Sequence, residues 1–207
     1  MIPLSKQETR VLDISCRKKL SHLSSCLTSL QLIDAIYKVK KKDEPFILSN
    51  GHAGLALYVI LEKEEGKDAE KLYDKHGTHP NRCLEDGIYC STGSLGSGIT
   101  IAVGMALANR KRSVFVLMGD GEFAEGSCWE ALRIAGEQRL ENLKIMVNAN
   151  GYSALGKVDI DLLDHRTNLF YPCLVIRTNM FKYPDYLNGV NGHYATISKE
   201  QYKEIIK

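Results

Sequence analysis

Two oxygen donors stand out as candidates for chemistry. Asp120 follows the apolar run Val114-Phe115-Val116-Leu117-Met118, and Asn150 closes the next one, Lys144-Ile145-Met146-Val147-Asn148. A carboxylate and an amide carbonyl are hard ligands suited to magnesium or calcium. Two side chains are too few for a cage made wholly of protein, and magnesium commonly completes its octahedron with substrate phosphates and water. Gly121 lets backbone N–H groups approach a phosphate, and a helix starting near Ser127 adds its dipole. The local expectation is a phosphorylated ligand held through a divalent cation. Taken singly, Gly119-Asp120-Gly121 reads as a strand-to-loop turn and Asn150 as a turn residue. It is their place at the ends of successive strands that joins them.

The elements that must position these residues follow from periodicity. The N-terminal third reads as helices, one through Val11, Ile14 and Lys18 to Leu20, another through Leu27, Leu30, Ile33, Ala35 and Ile36. Phe46-Ile47-Leu48 is a short apolar run before a turn, and a helix is expected from Gly54 to about Glu64. Lys63 to Lys75 reads as charged and solvent-facing, and Gly77 to Ser94 as loop. Small residues from Gly98 to Ala108 mark a helix that approaches a neighbour closely. The strand at 114–118 is apolar on both faces, as a central parallel strand is. A helix over Ser127 to Arg139 and strands at 144–148 and 173–176 complete a βαβ pattern. The fold class expected is α/β, a three-layer parallel sheet with helices on both faces, in one domain spanning 1–207. Ligands of such sheets bind beyond the carboxyl ends of the strands.

Composition limits the function classes. The 207 residues carry a formal charge of +2, with 44% hydrophobic and 25% charged residues. That is ordinary for a globular protein and offers no electrostatic footprint for nucleic acid. The longest apolar run, Gly98 to Ala108, is too short to span a bilayer. The N-terminus has no apolar core of the kind a signal peptide carries. The six cysteines are scattered without a CxxC, which points to reduced thiols and a cytoplasmic location.

Further segments give the chain a resemblance. Gly119-Asp120-Gly121-Glu122, Glu125-Gly126, Trp129-Glu130-Ala131 and Asn148-Ala149-Asn150 resemble the thiamine-diphosphate signature of the transketolase family. Ser21-His22-Leu23-Ser24-Ser25, Leu48-Ser49-Asn50-Gly51-His52, Thr78-His79-Pro80, Ser91 to Gly98 and Gly192-His193-Tyr194 resemble the family's other segments, in family order. The GSLG spelling and the short interval from Gly98 to Asp120 look most like the N-terminal chain of a split transketolase, which binds the pyrophosphate. The fold implied is the thiamine-diphosphate-binding fold.

The resemblance implies thiamine diphosphate and Mg2+ as cofactors, with Asp120, Asn150 and the Tyr152 carbonyl as metal ligands. It implies cofactor contacts from His52, Gly121 and His193, with Gly93, Ser94 and Leu95 facing the rings. Glu125 matches an acidic position at the interface between active sites. His22, His79 and His193 are the catalytic candidates, working by hydrogen bonding and proton transfer at sugar hydroxyls. His76 and His165 match nothing in the family. The reaction implied is transfer of a two-carbon ketol unit from a ketose phosphate to an aldose phosphate, as in the pentose phosphate pathway. It requires a C-terminal, pyrimidine-binding partner subunit, and a dimer or heterotetramer is expected. The helix over 98–108 and the one after Asp120 are candidate interface elements; no nucleic acid or membrane is expected as a partner.

The chain also departs from the family. No GHD motif is present, and only Leu155 to Gly192 separates the metal-binding loop from the terminal His. Tyr171 to Thr178 resembles a later family strand, which places a deletion near Asp161 to Asn168 and predicts a sheet gap or a changed edge. Ala149 replaces a usual polar residue. Two alternatives therefore stand beside the enzyme subunit. One is a non-catalytic transketolase-like binding or regulatory protein. The other is a subunit of a 2-oxo-acid dehydrogenase or a deoxyxylulose-phosphate synthase, which the LSNGH, TGSLG and THP spellings disfavour.

Overall fold

The computed structural model describes residues 3–207. Four parallel strands, β1 (Phe46–Leu48), β2 (Val114–Gly119), β3 (Leu143–Ala149) and β4 (Leu174–Arg177), form one sheet in the order β1-β2-β3-β4. The register runs through Leu48–Leu117, Leu117–Met146 and Met146–Leu174. Because all strands point the same way, Ser49, Asp120, Asn150 and Thr178 emerge along one rim.

Alternation across the pleat separates two cores. Phe46, Leu48 and Leu117 pack against α1 (Lys6–Lys18), α2 (Leu23–Val39) and α3 (Gly54–Glu65). Ile47, Val116, Met118, Ile145 and Val147 face the other way, onto α5 (Ser97–Ala108), α6 (Gly126–Glu137) and α7 (Ile160–Phe170). The three-layer α/β architecture is as expected. The apolar run at 46–48 proves to be a paired strand, so the sheet has four strands where the periodicity marked three.

Helix limits follow local chemistry. Ser5 and Glu8 form a reciprocal capping box at the start of α1, and Lys19 in the left-handed region ends it, so Lys19 and Leu20 lie outside the helix. The segment expected to be merely solvent-facing contains α4 (Ala69–His76), begun by the Asp68 cap; Ala69 and Leu72 are buried. Its charges pair with α1 through Arg17–Glu70 and Lys18–Asp74. Apolar burial and surface ion pairs are thus divided between opposite faces of one short helix.

The residues around the expected deletion, Asp161 to Asn168, lie in α7, which carries the chain from β3 to β4. Val147 pairs directly with Val175, so there is no gap in the sheet. β4 is the last strand of the sheet, and its Leu174 is 57% exposed. Beyond it, α8 (Gly189–Tyr194) and α9 (Lys199–Ile205) return over α1 and α2. No helix among the described residues is long and apolar enough to cross a membrane.

Candidate active site

At the rim, Asp120 is only 3% exposed. Its Oδ1 accepts from the Gly121 N–H at 3.0 Å and its Oδ2 from the Gly151 N–H at 2.7 Å. Burial outweighs these two bonds and raises the carboxyl to about 6. No protein cation pairs with it among the described residues. A buried carboxylate supported by backbone dipoles alone is poised to take a cation from outside the chain.

The surroundings suit such a cation and a phosphate. The Asn150 side-chain carbonyl accepts from the Tyr152 N–H at 2.9 Å, a local turn that brings the Tyr152 backbone over Gly121. A Cβ on Gly121 would stand 2.9 Å from Ser153 Cβ and 3.8 Å from the Tyr152 carbonyl oxygen. Only glycine leaves that space open. A cavity of about 130 Å³ is lined by Asn50, His52, Leu95, Asp120, Gly121 and Asn150, with Glu125 at its rim. It meets a larger one of about 450 Å³ that shares Asn150, Tyr152, Ser153 and His193.

Three of the four motif histidines form one cluster. The ring centroid of His22 lies 4.3 Å from that of His193 and 5.3 Å from that of His52, and His52 lies 5.3 Å from His193. The His22 N–H donates to the His193 carbonyl at 2.9 Å, which ties the start of α2 to α8. His22 sits at φ 60°, in the left-handed region, and its buried Nδ1 has no partner. A strained backbone and an unsatisfied ring nitrogen are costs that a bound ligand would offset. Burial, then repulsion among the rings, lowers His22 to about 4 and His52 to about 3, and burial lowers His193. The cluster is neutral at pH 7, able to donate from one nitrogen and accept at the other.

The remaining sequence candidates divide. Leu95 lines the cavity, whereas Gly93 and Ser94, two and one residues before it, are exposed and do not. His79 lies outside the trio, its ring against Gly93, where a Cβ would stand 3.2 Å from His79 Cγ. Glu125 is exposed and caps α6 without a side-chain bond.

The carboxylate that braces the rim is Glu122, to which the motif assigns no role. Its Oε1 accepts from Ser49 Oγ at 2.7 Å and the Gly96 N–H at 3.1 Å, and its Oε2 from the Gly119 N–H at 2.9 Å. One buried side chain thus holds the ends of β1 and β2 to the start of α5. Beneath the cavity, Asn148 Nδ2 donates to Thr28 Oγ1 at 2.9 Å and Ser29 Oγ at 3.0 Å, and Thr178 Oγ1 donates to Asn148 Oδ1 at 2.5 Å. Asn50 Nδ2 donates to Ser29 Oγ at 3.1 Å, leaving its buried Oδ1 free at the cavity wall. A polar residue such as Asn148 inside an otherwise apolar strand was the available signal.

The family profile described as transketolase, thiamine diphosphate binding domain, matches residues 37–174. The chain belongs to the transketolase family. Among its relatives, one of the subunits of the apulose-4-phosphate transketolase of Phocaeicola vulgatus is 32% identical over 74% of this chain and 62% of its own length. The 6-deoxy-6-sulfo-D-fructose transketolase subunit SqwG of a Clostridium species is 34% identical over 62% of this chain and 54% of its own. The chain thus spans less than two thirds of these relatives. A crystal structure of a transketolase mutant from Pichia stipitis superposes on 97% of this chain and 40% of that one, with a TM-score of 0.65 at 21% identity, a likeness of fold. The profile ends at the first residue of β4, so the transketolase-type match covers the Asp120–Asn150 rim, while His22 and His193 lie outside it.

Proposed function

We propose that this chain is the pyrophosphate-binding subunit of a thiamine-diphosphate-dependent transketolase made of two kinds of chain, and that all described residues act as one domain. The observation that carries the reading is the buried, cation-free Asp120 beside Gly121, Asn150 and the Tyr152 carbonyl. Asp120, Asn150 and the Tyr152 carbonyl would hold Mg2+, an all-oxygen set completed by pyrophosphate oxygens and water. Gly121, bare of a side chain, would let the pyrophosphate approach the backbone closely, and the neutral rings of His52 and His193 would donate to it. Leu95, with Gly93 and Ser94, would border the cofactor rings, and Glu125 would face a neighbouring chain.

Bound thiamine diphosphate supplies the electron sink for breaking and making the carbon–carbon bond. The chain's own residues orient and exchange protons. His22, whose backbone is tied to the His193 carbonyl, keeps its buried Nδ1 free beside the His52 and His193 rings, and the His79 ring lies against Gly93. The His22 and His79 imidazoles would hydrogen-bond the hydroxyls of a ketose phosphate donor and an aldose phosphate acceptor and move protons there. A cofactor reached from one side by this chain needs a second chain on the other. The stripe of α5 formed by Ile101, Gly104 and Leu107 is open to solvent, with Ile101 40% and Leu107 37% exposed. It is a surface for a C-terminal subunit or for a second copy in a heterotetramer. That two relatives are named as transketolase subunits supports this division.

Calorimetric titration of thiamine diphosphate with Mg2+, with and without a C-terminal transketolase subunit, tests the reading. Magnesium-dependent binding lost in Asp120→Ala is expected, followed by ketol transfer in the assembled protein. No binding with the partner present refutes it.

A further inference from the structure

Away from the strand-end cavity, three donor side chains of different kinds converge. His76 Nε2 lies 2.8 Å from Asp86 Oδ2, and these two atoms and Cys83 Sγ all lie within 4.8 Å of one another. The backbone sets this arrangement. Cys83 and Ile88 exchange N–H···O=C bonds of 2.9 Å in both directions, Asp86 N–H donates to the Cys83 carbonyl at 3.1 Å, and Gly87 closes the turn at φ 78°. Cys83 and Asp86 therefore leave one tight turn together. His76 is the last residue of α4, buried, with its ring centroid 6.2 Å from that of Tyr58. The Tyr58 hydroxyl donates to the Gly77 carbonyl at 3.0 Å and fixes the chain just beyond.

A cation already occupies this spot. Lys75 Nζ lies 2.6 Å from Asp86 Oδ2 and 3.6 Å from Cys83 Sγ. Together with His76 it holds the Asp86 carboxyl well below the usual range. The Lys75 side chain is 54% exposed, so it can leave for water at little cost. An ammonium interacts through hydrogen bonds, whereas a metal ion forms inner-sphere bonds to sulfur, nitrogen and oxygen at once.

We propose that His76, Cys83 and Asp86 form a zinc-binding site. Thiolate, imidazole and carboxylate are all zinc donors, and three of them leave a fourth tetrahedral position for water. Binding releases the Cys83 thiol proton to solvent, moves the His76 ring proton from Nε2, where it faces Asp86, to Nδ1, and sends Lys75 outward. The ligands bracket residues 77–82, the loop that carries His79, so the metal closes both ends of that loop and restricts it. None of the strand-end residues takes part, so the site stands whether or not the cofactor reading does.

The test uses the full chain without an affinity tag, titrated with Zn2+ against a chromophoric chelator and separately with Co2+. One Zn2+ per chain and a thiolate-to-cobalt charge-transfer band are expected. An outer-shell partner of a metal ligand is itself worth about 10–100-fold in affinity, so Cys83→Ser, which removes a ligand, weakens binding by more than about 100-fold. Lys75→Met, which removes the competing ammonium, tightens it, a gain that misfolding would not produce. No zinc held against the chelator, undiminished binding by Cys83→Ser, or a cobalt complex without the band overturns the proposal.

Discussion

Replacing Asp120 by Asn sets two effects against each other. The carboxyl lies at about 6 in the folded protein against 3.8 as its ordinary value, because burial disfavours its charge. A group raised in the folded state contributes stability below its unfolded pKa and loses it as pH rises through the folded one. At about 1.4 kcal/mol per unit, ionising Asp120 costs about 3 kcal/mol at pH 8 and about 1.5 kcal/mol at pH 5. Asparagine removes that cost. It also turns an NH2 group toward one of the two N–H donors, Gly121 or Gly151, which costs about 1–3 kcal/mol. At pH 8 the variant is therefore as stable as the parent or up to about 2 kcal/mol more so. Its advantage shrinks by about 1.5 kcal/mol at pH 5. Urea unfolding of both proteins without metal at the two pH values measures this, and histidine contributions common to both cancel in the difference. A variant more than about 2 kcal/mol less stable at pH 8, or a difference independent of pH, refutes the reasoning that Asp120 is a charge awaiting a cation. The same variant loses magnesium-dependent cofactor binding, so stability and function move in opposite directions.

Other consequences follow from the geometry. A Cβ at Gly98 would stand 2.6 Å from the Ser49 Cα; since backbone cannot rotate aside, Gly98→Ala destabilises by about 1–3 kcal/mol in denaturant unfolding. Glu122→Gln leaves one of three buried donors facing an NH2 group and costs about 1–3 kcal/mol, seen as a lower urea midpoint with a fold unchanged by circular dichroism. His22 and His52, lowered to about 4 and about 3, stay neutral while free histidine titrates, so their NMR ring signals show no inflection above pH 5. Because their folded values lie below the unfolded one, their contribution to stability is present above about pH 6.5 and is lost as pH falls below it; His22→Asn should flatten that decline.

The sequence by itself determined the elements that carry their own signal. Continuous apolar runs gave β2 and β3, small-residue spacing gave α5, and a carboxylate and an amide placed just past successive strands marked the rim of the site. These are local properties, set by side-chain periodicity and turn chemistry. Three residues of β1 were too few for a period, and they became a strand only because β2 offered a partner. The residues beside the expected deletion form an ordinary helix, since a capped segment with one apolar side needs no family motif to fold. Only the tertiary structure decided that His22, His52 and His193 share one cluster while His79 lies outside it, because 170 residues of chain separate His22 from His193. It also gave Glu122, to which the motif assigns no role, the bracing of three loops, while Glu125 stays exposed. Which of two neighbouring carboxylates is buried depends on what packs around them, and that is fixed by contacts between distant segments rather than by the local sequence.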